Sequence, residues 1–442
     1  MDTTLLAGLS DKSLLIIFAY APAGLGHLRV TDALYHGLPK EATTPLLLGS
    51  QDNTITWLHR LMSLNPIIRG LTTWAERGIA ENLTTYIYRN ILRSQTDVLY
   101  KQMLTIIDER YTPPTKVLLV ATHFGLAHQL AAIKERLEKE KNIKVILVVQ
   151  VTDDSPHHIW CVPGADLIVV PSEKTKEGLV KYAKKIGANI EFAVNAYPIS
   201  PNLSRPLSES REEQRYLQVD LSKQVSTQVI IPISGAAVQT DYFTKLVTEL
   251  HKRSSRFIFH IVIKNAPFTK IFIDTMANFD FVHLYIATAD RKVIENYEYV
   301  YEQNTIALEI TKPSEQSFKA LMDCKSESAS VLLFTKPVGR QEEDNLDFLR
   351  RHKLIPSYSD ERELWKMDKP EEMLKKAQFW RGILLPQHSK KSAEFIYWCL
   401  KTGIFRAMMN CKIRPANVGE HLHELNPDGV ATFWDIIAKL LS

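Results

Sequence analysis

Residues 13–34, SLLIIFAYAPAGLGHLRVTDAL, decide how this chain folds. Ser13 to Tyr20 is a short, continuous apolar run that stops at a proline–glycine cluster, the pattern of a strand buried on both faces. Beyond the cluster, Val30, Ala33 and Leu34 recur at helical spacing. Strand, glycine turn and helix in this order open a parallel α/β sheet. In the turn, Gly24 and Gly26 let the backbone bend tightly and approach a ligand. The helix start behind them favours an anion. A dinucleotide fingerprint needs a third glycine, and Arg29 stands in its place.

The same alternation continues outward. Val117 to Ala121, Val145 to Val151 and Leu167 to Val170 read as buried strands, with a helix from Leu126 to Lys141. A long insertion, about 57–111, reads as two or three helices. Tyr197 to Glu213, with three prolines and four serines, is the linker candidate. A second α/β pattern follows: strand Val229 to Ile233, helix Thr240 to Lys252, strand Phe257 to Ile263, and strands at Val282 to Ile286 and Val331 to Phe334. From about Asp360 the pattern is helical to the end. The expectation is two doubly wound domains, 1–200 and 201–415, with a helix in 416–442 packing back across them.

Bulk composition sets limits. The 442 residues suit two domains, and 45% hydrophobic with 24% charged residues is ordinary for a globular protein. A net charge of only +4 argues against a nucleic-acid partner. Cys161, Cys324, Cys399 and Cys411 are scattered, which predicts neither a zinc site nor a disulfide framework and points to a reducing, cytoplasmic setting. The N-terminus shows no secretory pattern, and no run of about 18 uncharged apolar residues exists to span a membrane.

Ligands of open parallel sheets bind beyond the carboxyl ends of the strands. Gly24 to His27, Thr122-His123, Thr152-Asp153-Asp154 and Ser234 to Ala237 all follow strands. His27, at a helix start, stays neutral because the helix dipole disfavours a cation, so it can accept a proton or hold a hydroxyl; a turn cap is the plain alternative. Asp153 is a general-base candidate, His157 or His158 can bind a phosphate or hydroxyl, and Trp160 can stack on a ring; a polar loop capped by aspartate is the alternative. Metal ligation with Cys161 is a poor fit, since adjacent histidines rarely face one ion.

Together these motifs resemble the monogalactosyldiacylglycerol synthase branch of the GT-B glycosyltransferases, related to the lipid II GlcNAc transferase. The family's glycine-rich turn ending in histidine matches Ala23-Gly24-Leu25-Gly26-His27, with Leu25 for one glycine. Its next motifs match Thr152-Asp153, His157 to Trp160, Asp166 and Pro171-Ser172-Glu173, then Tyr197-Pro198-Ile199-Ser200-Pro201 at the linker. In the second domain Ser234-Gly235-Ala236-Ala237, Lys312 to Ala320 and Lys336 to Asn345 stand where the family has its donor loops. The resemblance implies a GT-B fold, two Rossmann-like domains facing a cleft, and inverting transfer of a hexose from a nucleotide sugar, UDP-linked, to a lipid hydroxyl such as diacylglycerol.

By the same resemblance Asp153 and His27 would be catalytic, with Gly24, Gly26, His157 and Trp160 at the acceptor. Ser234, Gly235, Lys312, Pro313, Ser317, Gln341, Glu342 and Asn345 would hold the donor. No metal and no cofactor is implied beyond the donor substrate. The donor loop departs from the family: Ser314 and Glu315 replace two glycines, and Ala320 replaces the ribose-binding glutamate. Either Lys319 holds a phosphate instead, or donor binding is lost and the protein is a repurposed GT-B chain binding a lipid or polyprenyl ligand. A sugar-nucleotide epimerase is a third class, which the acceptor-side motifs disfavour. The relatives act at the membrane surface, and two stretches mix basic and aromatic residues, 64–93 and 378–415, as suits an anionic interface; an amphipathic helix packed on its own domain with a solvated basic face is the plain alternative for each, and for 378–415 the nearer one. The expected place is therefore peripheral, on the inner face of the membrane.

Overall fold

The computed structural model describes residues 8–21, 25–49, 78–233, 235, 237–410 and 422–442. The chain divides into two compact units, Met1–Pro201 with His421–Ser442, and Asn202–Glu420. Each has its own hydrophobic core.

The first unit is built on β1 (Leu14–Tyr20), β2 (Leu46–Gly49), β3 (Lys116–Ala121), β4 (Lys144–Gln150), β5 (Leu167–Val170) and β6 (Glu191–Val194). They pair in the order β2-β1-β3-β4-β5-β6, every pair parallel. Central strands with helices on both faces cannot alternate polar and apolar residues, and six of the seven residues of β1 are buried. The chain leaves β1 for β2 on one side and returns to β3 on the other. That reversal is the switch point of a doubly wound sheet, where a ligand crevice opens.

The second unit contains β7 (Thr227–Pro232), β8 (Phe257–Lys264), β9 (Val282–Ala287), β10 (Leu308–Thr311), β11 (Val331–Phe334) and β12 (Gly382–Leu384). Their order, β12-β11-β10-β7-β8-β9, is again wholly parallel, with its switch point between β7 and β10. The two sheets match the two doubly wound, Rossmann-like domains that the resemblance implies.

Four strands of three or four residues, β2, β6, β10 and β12, have no counterpart in the sequence reading. β12 interrupts the tail expected to be helical throughout. Its Gly382 is required by packing, since a Cβ there would meet the Phe334 ring at 2.6 Å and the Leu332 carbonyl at 3.0 Å. The last helix, Gly429–Leu441, packs on the first unit. Trp434 donates its indole N–H to the Leu34 carbonyl at 3.0 Å and meets Phe18 edge-on.

Of the insertion, the helices Gly78–Ser94 and Asp97–Asp108 are described; Trp74, Arg69 and Arg77 lie outside the described residues. In the stretch 378–415, Trp380, Phe395 and Phe405 belong to the second unit's core, in line with the packed-helix alternative. Cys161 and Cys399 are buried free thiols, whereas Cys324 is disulfide-bonded, where the scattered spacing predicts no bridge. Cys411 lies outside the described residues. No helix among the described residues is long and apolar enough to cross a membrane.

Candidate active site

Three strand ends of the first unit meet at one imidazole. His27 lies in the first turn of the helix Leu25–His36, which follows β1. Its Nδ1 is 2.7 Å from the carbonyl of Thr122, the residue after β3. The same nitrogen is 3.0 Å from Oγ1 of Thr152, two residues beyond β4. A carbonyl only accepts, so Nδ1 carries the proton and Nε2 is left as the nitrogen that can take one. Thr31 tightens the arrangement: its hydroxyl donates to the His27 carbonyl at 2.9 Å and lies 2.7 Å from the Thr122 hydroxyl. Gly26 is half-buried beside His27, and Gly24 lies outside the described residues.

Aromatic rings line this point. His123 stands edge-on to His27 with centroids 4.9 Å apart, and Trp160 lies 6.1 Å from it. Trp160 is fully enclosed and meets Phe124 edge-on at 5.6 Å. It therefore packs the wall behind His27; a ring with no open face is not the stacking platform expected for it.

The two aspartates divide their labour. Asp154 is wholly buried, taking hydrogen bonds from the hydroxyls of Ser172 and Thr175. Ser172 in turn caps the helix Glu173–Lys185. Asp154 and Ser172 thus hold structure, as does Asp166, which takes Lys134 at 2.6 Å and the Leu147 amide at 2.7 Å. Asp153 is 6% exposed, and its Oδ1 accepts the Ser155 amide at 3.1 Å in a tight turn.

The insertion supplies a residue that motif reading missed. Glu81, buried on the helix Gly78–Ser94, accepts the His158 amide at 3.0 Å. The same oxygen lies 3.7 Å from Nδ1 of both His157 and His158. The signal available was that Glu81 is the helix's only acid, set on its inward stripe. His158 stacks flat on Tyr182 at 3.9 Å, leaving His157 as the member of the pair nearest the Asp153 turn in sequence. Nearby, burial pushes His128 down to about 4, with its Nε2 bonded to the Ile159 carbonyl at 2.9 Å.

In the second unit the expected donor residues surround the β7/β10 switch point. Gly235 is half-buried after β7; Ser234 lies outside the described residues. The same loop holds Ala237 and Gln239 in the left-handed region, at φ 48° and 65°. After β10, Lys312 is ion-paired with Glu342, whose other oxygen accepts the Val338 amide at 2.7 Å. Asn345 donates to the Pro313 carbonyl at 3.2 Å, and Gln341 is exposed. Ser317 is fully buried, and its hydroxyl has no hydrogen-bond partner among the described residues.

Lys319 does not reach for a ligand. Its ammonium is 2.5 Å from Glu309 and 2.8 Å from the hydroxyls of both Tyr297 and Tyr301, all buried. Burial and the Glu309 carboxylate drive the Tyr301 hydroxyl well above the usual phenol range. The expectation of Lys319 on a phosphate is corrected accordingly: a lysine spent on a buried carboxylate is not available to one.

No family model matches the chain, and no curated protein matches it. Solved structures do. UDP-GlcNAc 2-epimerase from Neisseria meningitidis bound to UDP-GlcNAc is similar over 97% of this chain and 99% of its own, at 11% identity and a TM-score of 0.49. An Anabaena protein in complex with UDP and glucose is similar over 96% and 98%, at 13% identity and a TM-score of 0.45. A glycosyltransferase from Rickettsia africae is similar over 97% and 98%, at 10% identity and a TM-score of 0.43. Likeness at such identities concerns the chain path and says nothing of what the site does.

Proposed function

We propose that this protein transfers a hexose from a nucleotide sugar, UDP-linked, to an acceptor hydroxyl with inversion at the anomeric carbon. The observation that carries the proposal is His27. It sits at the β1/β3 switch point with its tautomer fixed by the Thr122 carbonyl, so Nε2 is the proton acceptor. The acceptor oxygen attacks the anomeric carbon, its proton passes to Nε2, and the bond to the nucleotide diphosphate breaks. We assign this proton to His27 rather than Asp153, because Asp153 binds its own turn through Oδ1. Asp153 then shapes the loop that brings Thr152 to His27. In the second unit Gly235, Lys312, Pro313, Ser317 and Asn345 are proposed to meet the donor.

For the acceptor we propose a lipid hydroxyl, presented at a membrane surface. The motif resemblance supports this, and so does the helix Gly78–Ser94. Leu83, Tyr86, Ile87 and Ile91, at positions i, i+3, i+4 and i+8, are between 46% and 61% exposed along its outer face. An exposed apolar stripe on a helix whose inner face meets the His157 turn suits an interfacial segment.

A second reading has its own observation. Lys312 is neutralised by Glu342, Lys319 by Glu309, and Glu315 adds charge to the loop. These contacts favour a chain that has lost the donor and binds an acceptor-like ligand alone. Calorimetric titration of the protein with UDP and UDP-hexoses separates the two. Micromolar binding, weakened about tenfold or more by Lys312→Ala, supports the transferase; no binding of any nucleotide selects the second reading.

A further inference from the structure

The helix Gly78–Ser94 carries two cations one turn apart, Arg89 and Arg93. Both are half-buried. Arg93 spends one N–H on the Pro163 carbonyl at 3.0 Å, a neutral partner. Arg89 lies 5.9 Å from the Tyr86 ring centroid, and its Nη1 is buried with no hydrogen-bond partner among the described residues. Neither guanidinium has a carboxylate within ion-pair distance among the described residues, and Glu81, the helix's only acid, is engaged two turns away with His157 and His158. Two titratable groups near the pair add no negative charge. His128, on the facing helix Phe124–Lys141, is buried and held down to about 4 by burial, with both arginines adding to the effect. The Cys161 thiol is pushed up to about 12 by burial, so it too is neutral.

Two half-buried cations at one-turn spacing repel one another and have lost part of their hydration. A fold retains such a pair at a cost unless an anion completes it. The planar fork of arginine matches the oxygens of a phosphate or phosphodiester, and two forks from one helix face can share one such group. Beside them on the same helix runs the exposed apolar stripe Leu83, Tyr86, Ile87 and Ile91, which Arg89 meets at Tyr86. We propose that Arg89 and Arg93 form a binding site for a phosphate group, carried either by an anionic lipid at the surface that the stripe meets or by a soluble phosphate. The site does not depend on sugar transfer, and its test reads binding rather than turnover.

The test uses the full-length protein, an Arg89→Gln/Arg93→Gln variant, an Arg89→Lys/Arg93→Lys variant and a Leu83→Ser/Ile87→Ser variant. Melting temperature is measured in inorganic phosphate and in chloride of matched ionic strength. Phosphate should raise the melting temperature of the parent protein over chloride. The glutamine variant should lose that increment, and in chloride it should melt no lower than the parent, because an unpaired charge has been removed. The lysine variant should keep part of the increment. Sedimentation with vesicles of equal parts phosphatidylcholine and phosphatidylglycerol, against pure phosphatidylcholine, identifies the source. A lipid phosphate predicts about a tenfold loss of anionic-vesicle binding in the glutamine variant. It also predicts that the Leu83→Ser/Ile87→Ser variant loses vesicles but keeps the phosphate increment. A soluble phosphate predicts the increment without a vesicle effect. The proposal is overturned if phosphate gives no increment and the glutamine variant binds anionic vesicles as the parent does. It is also overturned if that variant melts well below the parent in chloride, which would mean the fold already satisfies both guanidiniums.

Discussion

At the scale of single residues, buried histidines make the fold sensitive to acid. His128 in the first unit and His260 in the second are each depressed from 6.5 to about 4, by burial foremost. The unfolded chain binds protons at these positions before the folded one does. Their contribution is therefore complete above pH 6.5 and is lost as pH falls toward 4. Each histidine should account for a loss on the order of 3 kcal/mol across that window. Denaturant melts at stepped pH check this, and His128→Gln should flatten the slope; an unchanged slope would contradict it. Ala237 is a second case. Its left-handed backbone at φ 48° strains any side chain, so Ala237→Gly should raise stability by up to about 1 kcal/mol. A lower midpoint in a denaturant titration would show that the loop depends on the methyl group. His27 was legible in sequence as a histidine behind a glycine turn. Its partners Thr122 and Thr152 were legible only as residues at strand ends. Glu81 is marked in sequence only as the one acid of its helix; its place at the His157 turn is not legible, because a helix from the insertion delivers it across the fold.

Among elements, the 3₁₀ segment Glu315–Leu321 is where sequence and structure part most. Motif reading placed it around a nucleotide phosphate. The structure turns Lys319 inward to Glu309 on β10, with Tyr297 and Tyr301 from the helix Asp290–Gln303 completing the cluster. A pair so enclosed is costly to break from one side. Lys319→Met and Glu309→Gln should each destabilise the second unit by about 3–5 kcal/mol, whereas the double variant should lose clearly less than their sum. Additive losses in denaturant melts would contradict the coupling. Sequence could not show this cluster, since its four members lie on three elements that only the parallel sheet brings together.

The whole molecule is two parallel six-stranded sheets, and the long buried strands announced both. Leu308–Thr311 is short and broken by the charge of Glu309, so it shows no apolar run, and strand order with the β7/β10 switch point had to come from the structure. Separate cores in the two units predict calorimetric unfolding that departs from a single two-state transition. One sharp transition with matching calorimetric and van't Hoff enthalpies would contradict that independence. The central claim concerns chemistry at His27. The direct measurement offers the purified protein labelled UDP-hexoses with lipid vesicles, beside His27→Ala and Asp153→Asn. The account predicts a labelled lipid, a fall of about 10²- to 10⁴-fold with His27→Ala, and a smaller loss with Asp153→Asn. Transfer that survives His27→Ala undiminished, or no transfer from any donor, would contradict it.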